Sequence, residues 1–138
     1  MAAPAARKLK TEILVSAAPD LQAALRDWRA WLKDETRASP HTCLAYGQDL
    51  ADFLAFVTAH LGKPPRLADL SALTTTDFRA WLAARSHSGL KRTSTARALS
   101  TLRCFFRWLK RRGLAENTVL GGLRTPKLPN SVPNALTA

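Results

Sequence analysis

The sequence predicts an all-α domain, a bundle of four to five helices, and three observations carry that reading. Apolar residues recur at helical spacing in four separate stretches, helix start and stop residues punctuate those stretches, and no segment alternates apolar with polar residues as a half-buried strand would. The chain has 138 residues, 46% of them hydrophobic and 22% charged, which suits one domain with a single core. No apolar run approaches the length of about 20 residues that spans a bilayer.

The first helix is expected from about Asp20 to Glu35, where Leu21, Leu25, Trp28 and Leu32 step along one face. The second opens at "SPHT", with Ser39 as N-cap and Pro40 at the first helical position. Tyr46, Leu50, Phe53, Leu54, Val57 and Leu61 follow on its apolar stripe, and Gly62 stops it. After a short connector, Thr74 to Thr76 supply cap candidates for a third helix, Asp77 sits in its first turn, and Phe78, Trp81 and Leu82 form its stripe. The fourth helix lies in "GLKRTSTARALSTLRCFFRWLKRRG", capped by Thr93 or Ser94 and stopped at Gly113. Residues 1–18 read as a flexible lead-in without the apolar centre of a secretory signal, residues 19–116 as the helical domain, and residues 117–138, rich in proline and small residues, as a linker.

Charge is unevenly distributed. The formal net charge is +11, yet residues 1–69 hold nine Lys and Arg against eight Asp and Glu, while residues 70–138 hold twelve against two. A segment so poor in acids repels itself unless a polyanion binds it, and this points to nucleic acid. On a helical wheel with Leu99 at zero, Leu102, Phe105, Phe106 and Leu109 fall between about 240° and 340°. Arg97, Arg103, Arg107 and Arg111 fall between about 40° and 160°, so the fourth helix has a dry side and a basic side. A helix of that diameter fits the major groove, and arginine pairs bidentately with phosphate or guanine. With Arg97 on the exposed side, Arg97→Ala is expected to leave stability nearly unchanged.

Helix N-termini add free amides and a positive dipole end that suit a phosphate. The second and fourth helices both begin among hydroxyls and basic groups: Ser39, His41 and Thr42 in one, Lys91, Arg92, Thr93 and Ser94 in the other. The two cysteines, Cys43 and Cys104, have no neighbouring cysteine or histidine at zinc spacing, so both read as reduced thiols, with neither metal nor cofactor expected. No Ser/His/Asp or paired-carboxylate arrangement suggests catalysis by this chain.

Together, "SPHTCLAYGQDLADFLAFV" and "RTSTARALSTLRCFFRWLKRRG" resemble the second and fourth helices (B and D) of the N-terminal core-binding domain of tyrosine recombinases, a SAM-like helical bundle, especially in Xer recombinases. "DFRAWLAARSHSGL" and "ENTVLGGLRTPKLPNSVPNAL" look most like the XerC branch, and the likeness runs from Leu21 to Leu136. The chain departs from the family in having Asn117-Thr118 for Asn-Pro and Val132-Pro133 for Leu-Pro. The resemblance implies one half of a clamp around a recombination half-site, with DNA contacts carried over onto His41, Thr42, Thr93, Ser94 and Arg97. It also implies double-stranded DNA and related recombinase subunits in a tetramer as partners, strand exchange and chromosome dimer resolution by the parent protein, and a cytoplasmic location without membrane contact. In that family a tyrosine of a separate C-terminal domain attacks the phosphodiester. The resemblance implies that the chain stops in the linker before that domain, and its only tyrosine, Tyr46, sits on the apolar stripe of the second helix and reads as a core residue. A phage or mobile-element integrase is the alternative within the class. Outside it stands a basic helical interaction module for an acidic protein or a membrane surface.

Overall fold

In the computed structural model, residues 17–123 are described. Six helices follow one another: α1 (Pro19–Asp34), α2 (Pro40–Leu61), α3 (Leu67–Ala72), α4 (Thr75–His87), α5 (Arg92–Arg111) and α6 (Val119–Gly122). No strand occurs among the described residues. The four long helices are the four expected from periodicity, and α3 is the connector before α4.

Local chemistry sets their ends. Ser39 caps α2, its hydroxyl accepting the Thr42 amide at 3.0 Å, and Pro40 takes the first helical position, where its missing N–H costs nothing. Gly62 and Gly113, at φ 79° and 71°, reverse the chain after α2 and α5 in a conformation that a side chain would strain. Thr74 caps α4 reciprocally with Asp77: the Thr74 hydroxyl accepts the Asp77 amide, and the Asp77 carboxylate accepts the Thr74 amide at 2.8 Å. Backbone N–H donation from Thr74, followed by the hydrogen bond from His60, holds the Asp77 carboxyl below its ordinary range. The same His60–Asp77 contact, 2.8 Å long, ties the end of α2 to the start of α4.

The cap expected at Thr93 or Ser94 is corrected. Helix α5 starts at Arg92, with Lys91 in extended geometry as an N-cap that makes no side-chain capping bond. The preceding turn is closed by Leu90 N–H donating to the Arg85 carbonyl, so the chain is already positioned for the first α5 bond, from Thr95 N–H to the Lys91 carbonyl. Thr93 and Ser94 therefore sit inside the first turn.

Packing follows the stripes. Leu21, Leu25, Trp28 and Leu32 of α1 are buried, as are Leu50, Phe53, Leu54 and Val57 of α2. Leu61, at the last turn of α2, is exposed, whereas Tyr46 is half-buried and stacks on Trp28 at 6.3 Å. Phe53 lies among rings from two other helices: Phe78 stacked at 6.0 Å, Trp81 edge-on at 5.3 Å and Phe106 edge-on at 6.4 Å. Helix α5 is buried over a wider arc than its leucines and phenylalanines indicate, because Trp108 is also enclosed, 6.3 Å from Phe105 and 6.5 Å from Trp31.

The packed body also extends past the boundary expected at residue 116. Leu120 and Leu123 join the core, and the Asn117 amide donates to the carbonyls of Leu70 (2.8 Å) and Leu73 (3.0 Å) while its oxygen accepts the Val119 amide. Asn117 satisfies the carbonyls at the end of α3 and fixes the following turn, so the two leucines are delivered to the core. At the other end Ala17 is buried, and Ala18 N–H donates to the Pro65 carbonyl. The remainder of the expected lead-in, and of the expected linker from residue 124 on, lies outside the described residues.

Candidate nucleic-acid interface

The start of α2 brings Ser39, His41 and Thr42 together. Ser39 and His41 are exposed, and the Ser39 hydroxyl, besides capping, donates to the Thr42 hydroxyl at 3.0 Å. At the start of α5, Lys91, Arg92 and Thr93 are exposed and Ser94 is half-buried, with no acid in the first turn. An N-terminus of this kind combines amides, hydroxyls and positive charge on one surface.

Helices α2 and α5 are joined by a polar contact beneath that surface. Asp49 is buried at a core-facing position of α2, and its carboxylate accepts Arg97 Nε at 3.0 Å, Arg97 Nη2 at 2.7 Å and the Thr101 hydroxyl at 3.0 Å. The partners differ in exposure: the Asp49 side chain is 3% accessible and that of Arg97 is 53%. Hydrogen bonding to Asp49, and then its charge, raise the Arg97 pKa further, so the guanidinium is firmly cationic. Arg97 is thus on the exposed side as its helical phase requires, yet it is not a freely solvated cation, and its bonds to Asp49 make its loss costly to stability where the sequence alone predicts almost no change.

A second polar contact lies alongside. Arg85 of α4 is buried, donates from Nε to the Thr95 hydroxyl of α5 at 3.0 Å, and lies 5.6 Å from the Trp81 ring centre. On the neighbouring turn of α2, partial desolvation raises the Asp52 carboxyl, Arg85 pulls it back, and the Asp49 charge adds to the rise.

The later arginines of α5 are held differently from one another. Arg103, half-buried, donates to the Leu123 carbonyl; Arg107 is exposed; Arg111 lies 5.5 Å from the centre of the Trp31 ring. Arg103, Arg107 and Lys110 line a cleft of about 290 Å³ with Phe106, Asn117 and Leu120. The eleven sequence-derived residues therefore form three groups: the α2 start, the α5 start with Arg97, and the outer turns of α5. Asp49, Arg85, Thr95 and Thr101 were given no role by the sequence, although Asp49 lies in the Asp-Leu pair of the stretch that carries the resemblance. Their signal was polar side chains at core-facing positions: Asp49 lies three residues after Tyr46 and four before Phe53, and Arg85 lies four after Trp81.

Among the described residues, no helix is long and apolar enough to cross a membrane, and no group of three or more His, Cys, Asp or Glu is placed to hold a metal ion. Both cysteines are free thiols.

The helical bundle with its basic helix starts has a defined family. Residues 25–113 match the phage integrase, N-terminal SAM-like domain, and the chain belongs to that family. Within it the chain is XerC-like. It is 47% identical over 120 residues to the tyrosine recombinase XerC of Rhodospirillum centenum, covering 87% of this chain and 35% of that protein. To the tyrosine recombinase XerC of Rhizobium meliloti it is 43% identical over 129 residues, covering 94% of this chain and 41% of that one. To that of Methylobacterium nodulans it is 42% identical over 123 residues, covering 89% and 38%. The chain thus spans about two-fifths of the length of these relatives, at most. No solved structure matches it.

Proposed function

We propose that this chain is the DNA-gripping module of a XerC-like site-specific tyrosine recombinase, closing on one side of a recombination half-site. The observation that carries this reading is the start of α5, where Lys91, Arg92 and Thr93 are exposed around a helix N-terminus that has neither an acid nor a side-chain cap, one turn before Arg97. Ser39, His41 and Thr42 at the start of α2 supply a second set of phosphate contacts, and Arg107 extends the basic surface along α5. Arg103 and Arg111 contribute charge from fixed positions. The chain supplies grip and orientation. Strand exchange is the work of the portion of the relatives that it does not span, within a tetramer of related subunits that resolves chromosome dimers in the cytoplasm.

The membrane-surface alternative loses its main support from the packing of α5: Leu99, Leu102, Phe105 and Leu109 face the core and are unavailable to a bilayer. A mobile-element integrase module is the other reading within the same family, distinguished by which DNA site the chain prefers.

The test is binding to a Xer-type half-site and to a scrambled duplex over a range of salt concentrations. Each neutralised phosphate contributes about −0.9 to the slope of log K against log salt. A steep slope with preference for the half-site is expected; absence of binding to both duplexes refutes the reading.

A further inference from the structure

Arg97 and Asp49 form a geometry with a consequence for how the surface reads DNA. A guanidinium has two edges that can each make a pair of parallel hydrogen bonds: the side edge of Nε and Nη2, and the end edge of Nη1 and Nη2. Asp49 occupies the side edge, through Nε at 3.0 Å and Nη2 at 2.7 Å. That leaves the end edge, on a side chain that is 53% accessible. The carboxylate is itself fixed, because it is buried and Thr101 holds one of its oxygens at 3.0 Å. Arg97 therefore keeps one face anchored in the protein and offers a forked donor pair to solvent, one turn into the helix whose first residues are exposed.

We infer that Asp49 is a positioning residue for sequence reading: it holds Arg97 so that its end edge pairs with a guanine at one base-pair position. This rests on the DNA-gripping reading above and deepens it. Two physical effects favour base over phosphate as the target. The pair is neutral overall, so Arg97 gains less from a phosphate than Lys91 or Arg107 does, whereas guanine O6 and N7 present two neutral acceptors that match a fork. Fixing the rotamer also removes the entropy that a free arginine loses on binding, and it fixes the register at which the fork meets a base.

The experiment uses the whole chain and a pool of duplexes randomised over the bound length, with base preference read by sequencing the bound fraction. Salt dependence is then measured on a preferred and a scrambled duplex. Arg97→Lys keeps the charge but cannot bond through two edges. It is expected to lose about tenfold or more of the preference at one guanine-containing position, while other positions and the salt slope stay as in the parent. Asp49→Asn is expected to lose preference at that same position and to steepen the salt slope, because Arg97 is then an uncompensated cation. Thermal unfolding of each variant confirms that it is folded at the assay temperature, and Arg97→Lys decides the matter if Asp49→Asn is not.

Uniform weakening at all positions, or an unchanged preference profile in Arg97→Lys, overturns the positioning role and leaves the DNA-gripping reading standing. A parent chain that binds no duplex in the pool overturns both.

Discussion

Replacing Arg97 by alanine is expected to destabilise the fold by about 2–3 kcal/mol. Two limits bracket that figure. Removing one partner of a fully buried ion pair costs about 3–5 kcal/mol, because the remaining charge is stranded, whereas breaking an exposed pair costs about 0–1 kcal/mol. The Asp49–Arg97 pair falls between them, since the carboxylate is buried and the guanidinium half-exposed. Alanine removes two charge-assisted hydrogen bonds from Asp49 and leaves it the Thr101 hydroxyl, but it also opens a path by which water reaches the carboxylate. Urea unfolding followed by circular dichroism is the assay, with an unchanged m-value as the check that only stability has moved. Arg107→Ala is the control and is expected within about 0.5 kcal/mol of the parent, because Arg107 is exposed and outside the Asp49 contact. If Arg97→Ala also falls within about 0.5 kcal/mol, Asp49 is not stranded by its loss and the interhelical role assigned to the pair is wrong.

Phe106→Ala is expected to cost about 3–5 kcal/mol in the same assay, since the ring is enclosed by Phe53, Phe78 and Phe105; parent-like stability would mean that this part of the core is misassigned. Asp77 titrates with a lowered folded-state pKa, so its contribution is present above the unfolded carboxylate value of about 3.9 and is lost as pH falls through the folded value. The parent's melting temperature should therefore drop more between pH 5 and pH 3 than that of Asp77→Asn, and coincident profiles would count against the Thr74–Asp77–His60 contact. Burial raises the Cys104 thiol, against the pull of Arg107 and Arg111, so alkylation by iodoacetamide at pH 7.5 should be slower at Cys104 in the folded chain than in urea. Equal rates would place that thiol at the surface.

The long helices were legible because each carries its own periodic stripe and its own punctuation. Ser39-Pro40, Thr74 with Asp77, Gly62 and Gly113 act within a few residues of themselves, and their structural roles follow from local chemistry. The start of α5 was less legible: "KRTST" offers several polar residues in succession, and the turn closed by Leu90 and Arg85, rather than a capping hydroxyl, selects Lys91. The core role of Leu120 and Leu123 was hidden because glycines and prolines around them read as linker, and Asn117 delivers them through bonds to residues more than forty positions away. In the candidate interface, helical phase placed Arg97 outward but could not reveal its acid partner, which belongs to another helix 48 residues earlier. Wheel geometry treats one helix at a time; an ion pair between helices exists only once they are packed. Membership of the phage integrase SAM-like family supports the resemblance seen in the two basic stretches.

Two arginines at the end of α5 rest on aromatic rings, Arg111 over Trp31 and Arg112 over Trp108. A ring face orients a cation through its quadrupole without cancelling its charge, as a carboxylate would. The charges of these two guanidiniums are therefore not cancelled by those contacts and remain available to attract a polyanion at a distance. Such a field raises the rate of productive encounter and fades with ionic strength. On the DNA-gripping reading proposed above, the tryptophans beneath α5 therefore bear on the rate of encounter with DNA as well as on the core.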